Sequence, residues 1–410
     1  MPASSLRPVL PRQGPRPLPL HLASATGAWM SSRAALPLLK SGLLPWRPEF
    51  ALQGGSLSLA LAGAKSDSLG AALDAELTRR AALFLDGVER YRRHPYRRDL
   101  DEPPVLWQEG TTRLLDYRPR GGPPVLVVPS LINRAYILDL AAGQSLLRHL
   151  ADRGLRPLLI DWGALGEEER HFDVGDYIVR RLEPAAEVAR QAAGGVAPVV
   201  LGYCMGGLLA LALADRRPEL ASALALLATP WRFHAERAEQ ARLLGVLAEP
   251  IARSYAALGE VPVDVLQALF AAQDPLLVLR KFSRFAELAP DSAVALGFVA
   301  LEDWLNDGVP LAIPVARECL GGWYGEDRPG RGQWRVAGKA IRPRDIKIPA
   351  LVVVPAQDRI VPPATAAALA DELPQAETWT PRLGHIGMIV AREAPNVVWE
   401  PLAAWLLAQG

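Results

Sequence analysis

The amino-acid sequence predicts an α/β fold with a mostly parallel central sheet, helices on both faces of that sheet, and an inserted helical cap. The first observation is an alternation of short apolar runs with helix-like stretches between residues 125 and 229, which resumes at Ala350. Continuous apolar runs are typical of parallel strands that are buried on both faces. The second observation is the interruption, because residues 235–345 are apolar, helix-like and too numerous for a loop.

The segments before the alternation are of two kinds. Residues 1–50 are rich in proline and arginine and contain a single acid, Glu49, so we expect a disordered extension there. Between Leu69 and Arg93 apolar side chains recur near a 3.6-residue period, which predicts a helix. The expected organisation is therefore an extension (1–50), a helical segment (51–104), a first part of the sheet domain (105–234), a cap (235–345) and a second part of the sheet domain (346–410).

The strands of the predicted sheet follow from apolar runs bounded by turn residues. Val105–Glu109 and Arg113–Tyr117 are separated by Gly-Thr-Thr, which favours a leading antiparallel hairpin. Helices are expected over Gln144–Arg153 and from Asp173, a favourable N-cap, towards Gly194. The later predicted strands are Val125–Pro129, Pro157–Asp161, Pro198–Leu201, Ala221–Thr229, Ala350–Val354 and Glu377–Trp379.

One short segment, Gly202–Gly207, carries the strongest indication of chemistry. It reads Gly-Tyr-Cys-Met-Gly-Gly and connects a predicted strand to a predicted helix. Strand, glycine-flanked nucleophile and helix form the nucleophile elbow of α/β hydrolases, with Cys204 where serine is usual. The glycines allow the strand and the helix to approach each other closely, and the helix N-terminus favours a thiolate. The elbow therefore predicts an α/β-hydrolase fold with Cys204 as its nucleophile.

A cysteine nucleophile requires a nearby base, and the base requires an orienting carboxylate. His385 lies in a loop after the last predicted strand, and Asp358 lies just beyond the strand at Ala350–Val354. The chain order nucleophile, acid, base is that of α/β hydrolases. Asp161, at another strand end, is the alternative acid, and His234 is the rival base.

An oxyanion hole requires two backbone N–H groups that point at the developing negative charge. Met205 follows the nucleophile at the start of the helix and supplies one of them. We assign the second to Ile132, in the loop after the strand at Val125–Pro129, with Leu131 as the neighbouring alternative. The remaining cysteine, Cys319, has no glycine elbow around it and is interpreted as structural.

Composition excludes several classes of function. The formal net charge of +1 gives no basic field for nucleic acid, and no apolar run reaches the length that a transmembrane helix needs. Two cysteines provide neither a disulfide framework nor a cysteine-based zinc site, so we expect no metal and a reducing, cytoplasmic location.

With these residues in place, the chain resembles the polyhydroxyalkanoate synthases, in particular the shorter class that works with an accessory subunit. The resemblance covers residues from about Val105 to the C-terminus. At Asp358 the chain departs from the family pattern, because Arg359 follows where the family commonly has histidine. Four segments carry the resemblance: Val128–Leu140, Leu159–Gly163, Gly202–Gly207, and Asp358–Pro362 with Gly384-His385.

The resemblance implies acyl transfer from a 3-hydroxyacyl-coenzyme A to a growing polyester through Cys204, with His385 as base and Asp358 as its partner. Coenzyme A is then a leaving group, and no retained cofactor is expected. The implied partners are an accessory subunit or a second copy of the chain, and the surface of a polyester granule.

Three other functions compete with this interpretation. Dienelactone hydrolases share the elbow sequence, but without so long a cap their acid would follow the cysteine more closely than Asp358 does. A cysteine-dependent thioesterase or polyester hydrolase would use the same triad with water as the acceptor. A non-catalytic protein on a granule surface would retain the fold without the activity.

Overall fold

The computed structural model describes residues 12–410, so the first eleven residues of the expected extension lie outside the described residues. The chain forms two compact units. One contains the described residues up to Arg97 together with Asp264–Asn306, and the other contains Arg98–Val263 together with Asp307–Gly410. None of the helices found over residues 12–410 combines the length and apolar character needed to cross a bilayer.

The larger unit is built on an eight-stranded sheet of order β1-β2-β4-β3-β5-β6-β7-β8. The first two strands form the predicted hairpin, β2 pairs antiparallel with β4, and the remaining neighbours pair parallel. Mostly parallel pairing confirms the predicted fold class. The strands are β1 (Val105–Glu109), β2 (Thr112–Asp116), β3 (Pro124–Val128), β4 (Arg156–Asp161), β5 (Val199–Tyr203), β6 (Ala223–Leu227), β7 (Ala350–Val353) and β8 (Ala376–Trp379).

Helices occupy most of the remaining chain. Asp173 accepts the N–H of Asp176 and caps the helix predicted to start there, although a π-helical turn at Ile178–Leu182 interrupts it. The α-helices are α1 (Leu18–Lys40), α2 (Ala51–Ala62), α3 (Ser66–Arg93), α4 (Leu146–Asp152), α5 (Val174–Tyr177), α6 (Glu183–Ala192), α7 (Met205–Arg216), α8 (Ala238–Ser254), α9 (Val263–Ala271), α10 (Leu277–Ala286), α11 (Ala293–Asn306), α12 (Ile313–Arg317), α13 (Pro363–Ala370), α14 (Gly387–Val390) and α15 (Glu400–Gln409).

The expectation of disorder over residues 1–50 is wrong for the part that forms α1. Prolines cluster just before and at the start of this helix, where a missing N–H costs nothing, and the following residues are mostly good helix formers. His21 and Ala25 are buried, and Ala25 joins a core that includes Phe84 and Phe282. Tertiary packing therefore orders a segment whose composition alone suggested disorder.

The smaller unit is held together by aromatic packing between α3 and α10. The rings of Tyr91 and Phe282 meet edge to face with centroids 5.6 Å apart. A Cβ at Gly87 would lie 2.0 Å from the carbonyl oxygen of Phe282, so the glycine permits close approach of the two helices. This contact explains why Asp264–Asn306 belongs to the same unit as the N-terminal helices.

The insertion expected over 235–345 is helical, but its contacts divide it between the two units. Residues 264–306 belong to the smaller unit, and the flanking parts belong to the unit that contains the sheet. In the larger unit, α8 packs on a π-helical segment, Glu318–Gly325, so closely that a Cβ at Gly245 would lie 2.3 Å from the Cα of Gly325. The apolar aromatic composition of this stretch predicted helices but not the division.

The junction between β5 and α7 depends on glycine. A Cβ at Gly202 would lie 2.4 Å from the Cα of Gly207, and one at Gly206 would lie 2.0 Å from the carbonyl oxygen of Val128. Both obstacles are backbone atoms, which cannot rotate away as the end of a side chain can. The close approach expected from the sequence is therefore present on both sides of Cys204.

Gly206→Ala tests this constraint. Because the added methyl group meets the backbone of β3, we expect a loss of about 2 kcal/mol or more in the free energy of unfolding, measured by urea denaturation. Gly321→Ala is the matched control, since a Cβ there would lie 3.6 Å from the Cβ of Ala248, an ordinary contact. Equal stability of the two variants would contradict the proposed role of Gly206.

Candidate active site

Cys204 occupies a sharp turn between β5 and α7. Its backbone has φ 56° and ψ −128°, a conformation that residues other than glycine rarely adopt. The turn is fixed by the Cys204 N–H, which donates to the carbonyl of Leu227 at 2.9 Å, and by the Gly207 N–H, which donates to the carbonyl of Cys204 at 3.0 Å. Such a backbone conformation is strained for a residue with a side chain, and Cys204 is partly exposed.

The loop after β7 carries Asp358, whose side chain is buried. One carboxylate oxygen, Oδ1, accepts the backbone N–H groups of Ile360 and Val361, both at 2.8 Å. The other oxygen, Oδ2, accepts Nδ1 of His385 at 2.7 Å. The turn thus orients the carboxylate, and the carboxylate orients the imidazole.

The loops after β7 and β8 are joined by backbone hydrogen bonds. The Ala356 N–H donates to the carbonyl of Pro381, and the Gln357 N–H donates to the carbonyl of Leu383, both at 2.9 Å. Extended parallel strands continue into these loops, so Asp358 and His385 are brought together although 27 residues separate them.

Cys204 lies close enough to His385 to act on the pKa of the imidazole through its charge and a side-chain hydrogen bond. Because Nδ1 is engaged by Asp358, the nitrogen available to the sulfur is Nε2. Burial by itself lowers the pKa of His385, but the negative charge of a Cys204 thiolate and the hydrogen bond that Nδ1 donates to Asp358 outweigh it and raise this pKa to about 10. The site therefore favours an imidazolium beside the sulfur.

The alternative acid and base have other partners. Asp161 forms an ion pair with Arg113, with Nη2 and Oδ2 2.6 Å apart, and also accepts the N–H of Gly163. Nε2 of His234 donates to the carbonyl of Tyr324 at 2.8 Å. Cys319 is buried, and burial followed by the charge of Glu318 raises the pKa of its thiol well above the usual value, as expected for a structural cysteine.

The two residues assigned to the oxyanion hole differ in what their N–H groups contact. Met205 is the first residue of α7, and N–H groups in the first turn of a helix have no partner within the helix. The Ile132 N–H donates to Oγ of Ser130 at 3.0 Å. In this structure the second assigned donor is engaged within its own loop, so its role requires the Ser130 hydrogen bond to be shared or exchanged.

One residue in contact with the site was not singled out by sequence reasoning. Tyr203, the last residue of β5, lies with its ring centroid 5.3 Å from that of His385, and its hydroxyl donates to the His385 carbonyl at 3.2 Å. Its position directly before Cys204 was the available signal.

The arrangement is chemically competent for acyl transfer. A thiol, an imidazole close to it and a helix that begins at the next residue are parts that formation of an acyl-thioester would require. Over residues 12–410 no group of three or more potential metal ligands occurs.

Comparison with known proteins identifies the fold family of the chain and its relatives. Residues 123–391 match the family described as the alpha/beta hydrolase fold. The poly(3-hydroxyalkanoate) polymerase subunit PhaC of Haloferax mediterranei is 28% identical over 73% of this chain and 63% of its own length. The PhaC subunit of Haloarcula marismortui is 30% identical over 69% of this chain and 60% of its own length, and that of Synechocystis is 29% identical over 69% and 77%.

The chain thus spans about three fifths of the length of the two haloarchaeal relatives. The resemblance carried by the four sequence segments is confirmed by these matches. The chain belongs to the α/β-hydrolase fold family, and within it to the group related to the poly(3-hydroxyalkanoate) polymerase subunits.

Proposed function

We propose that the chain is an acyltransferase that builds polyhydroxyalkanoate from 3-hydroxyacyl-coenzyme A through an acyl group held on Cys204. The observation that carries the proposal is the single imidazole of His385, which bonds Asp358 through Nδ1 and faces the thiol with its other nitrogen. The names of the relatives supply the substrate class and the product.

In the proposed reaction the proton of Cys204 is already held on Nε2 of His385, so the sulfur reacts as a thiolate. The thiolate attacks the thioester carbonyl, and the carbon–sulfur bond to coenzyme A breaks as the bond to Cys204 forms. The departing thiolate takes the proton back from the imidazolium and leaves as the free thiol. Exchange of one thioester for another is nearly balanced in free energy, so a sulfur nucleophile suits this substrate.

In chain extension the same imidazole accepts a proton, after it has given one to the departing coenzyme A. His385 accepts a proton from the hydroxyl of a second 3-hydroxyacyl unit, and the oxygen attacks the acyl group on Cys204. An ester bond forms, the bond from carbon to Cys204 breaks, and the sulfur regains its proton. Helices of the insertion that belong to the sheet-containing unit would limit the access of water, which otherwise hydrolyses the intermediate.

Negative charge on the carbonyl oxygen requires stabilisation in both half-reactions. We assign this to the N–H groups of Met205 and Ile132, the latter exchanging its bond to Ser130 Oγ for one to the oxyanion. No retained cofactor or metal takes part in the proposed steps, because coenzyme A arrives with the substrate and leaves.

The setting of the reaction is part of the proposal. The substrate and product place the enzyme in the cytoplasm and at the surface of a polyester granule. An accessory subunit or a second copy of the chain is the proposed protein partner. A thioesterase with the same triad is the competing function, and it differs in the acceptor of the acyl group.

Cys204→Ala tests the nucleophile. With 3-hydroxybutyryl-coenzyme A as substrate, we expect release of free thiol to fall at least about 10³-fold, because no covalent intermediate can form. Cys319→Ala is the matched control and should keep near-normal activity, since that thiol is buried and takes no part in the proposed steps.

The product of the same assay distinguishes the functions. Thiol release together with polymer supports the proposal, and thiol release with only free 3-hydroxybutyrate would establish a thioesterase. Absence of thiol release from the unaltered, folded protein would point to an inactive scaffold. Full activity of the Cys204→Ala variant would exclude the acyl-cysteine mechanism.

Asp358→Asn tests the acid. An asparagine amide would donate to Nδ1 and place the imidazole proton on Nε2, so the ring could no longer accept the thiol proton. We expect the rate of thiol release to fall about 10³-fold or more with the fold preserved. Asp161→Asn is the matched control, and a larger loss in that variant would move the role to Asp161.

The same variant changes the pH dependence in a defined direction. Asp358 helps to raise the pKa of His385 to about 10, so the imidazolium persists through neutral pH. Without that charge the opposing effect of burial gains weight, and His385 should lose its proton at lower pH. NMR of ¹³C-labelled histidine, assigned with His385→Gln, measures the shift, and an unchanged or higher titration pH would contradict the assignment.

A further inference from the structure

Tyr203 is joined to His385 by two separate contacts. Tyr203 is 4% exposed and is the last residue of β5. The tyrosine ring and the imidazole lie with centroids 5.3 Å apart and planes inclined by 32°. The hydroxyl bonds the main-chain carbonyl of the same histidine at 3.2 Å. One contact is with the imidazole ring of His385, and the other is with the backbone of the same residue.

The chemistry of the tyrosine fits both contacts. Burial, with the charges of Cys204 and Asp358, raises the pKa of Tyr203 well above its usual value, so the phenol stays neutral. A neutral phenol donates to a carbonyl, which can only accept. A neutral aromatic face within about 6 Å also attracts a cation such as an imidazolium, most strongly where water is excluded.

Three other titratable groups lie near the imidazole of His385: Asp358, Cys204 and Tyr324. Asp358 and Cys204 contribute negative charge and hydrogen bonds. Tyr324 lies near enough for its pKa to be raised, first by burial and then by the charges of Cys204 and Asp358, and it is therefore also neutral. Asp358 fixes Nδ1, and the ring can still tilt by small rotations about its side-chain bonds. The flat face of Tyr203 restricts that rotation.

We propose that Tyr203 is a positioning residue, whose hydroxyl fixes the backbone of the His385 loop and whose ring holds the imidazole in its protonated form between Asp358 and Cys204. The inference rests on the proposed function only for the substrate assay. The state of the imidazole and the reactivity of the sulfur are properties of the site itself.

Two substitutions separate the contacts. Tyr203→Phe removes the hydroxyl and keeps the ring, so we expect the His385 titration to stay within about 0.3 pH unit. In the same variant kcat for thiol release should fall about five-fold at unchanged KM, the loss expected for one neutral hydrogen bond. Tyr203→Leu removes both, and the titration of His385 should move about one pH unit lower. Because the imidazolium is then held less firmly beside the sulfur, alkylation of Cys204 by iodoacetamide at pH 7 should slow by about two-fold or more.

Tyr177→Leu is the matched control for loss of a buried tyrosine. Tyr177 packs edge to face with Trp162 and Phe172, and its pKa is likewise raised by burial. This variant should lose stability, but it should keep the histidine titration and the alkylation rate of the unaltered protein. A purely structural role of Tyr203 would make Tyr203→Leu behave in the same way.

The outcomes are distinct. A Tyr203→Leu protein that is folded and titrates like the unaltered protein overturns the proposal, as does a Tyr203→Phe protein with unchanged kcat. If Tyr203→Leu does not fold, the kcat and titration of Tyr203→Phe decide the question. If the unaltered protein releases no thiol from 3-hydroxybutyryl-coenzyme A, the proposed function is rejected. In that case the expected shifts in titration and alkylation of Tyr203→Leu would still support the role of Tyr203.

Discussion

The position of His385, bonded to Asp358 and close to Cys204, is the constraint on which the rest of the candidate site depends. This arrangement joins the ends of β5, β7 and β8, which lie at the same edge of the sheet with β6 between β5 and β7. Parallel pairing brings the carboxyl ends of these strands to the same edge, so distant parts of the chain meet there. The charges at that edge sustain an imidazolium where burial alone would remove it.

Much of this architecture could be predicted because its signals are local. Strands buried on both faces, such as β3 and β7, read as uninterrupted apolar runs, and every predicted strand is present. The elbow was visible because backbone atoms lie where any Cβ at Gly202 or Gly206 would project, which restricts the sequence at those positions. The candidate acid and base followed from chain order and strand ends, and the structure places His385 in hydrogen-bond contact with Asp358.

What could not be predicted depends on contacts between distant segments. The helix α1 is ordered by a core that includes Phe84 and Phe282, and no local pattern in the first fifty residues reports those partners. The division of the 235–345 insertion has the same origin, since α10 packs on α3 rather than continuing a single helical layer. At Ile132 the sequence could predict the loop but not the hydrogen bonds within it. The Ile132 N–H already donates to Ser130 Oγ, and no sequence motif indicates that bond.

The left-handed backbone of Cys204 gives the chain a weakness at its most reactive position. A φ of 56° costs a residue with a side chain about 1–3 kcal/mol, whereas glycine adopts it freely. A library of variants sorted only for heat resistance would therefore enrich glycine at this position and discard the sulfur. Thermal robustness and turnover compete at this one residue, so a screen aimed at a hardier catalyst must select for both at once.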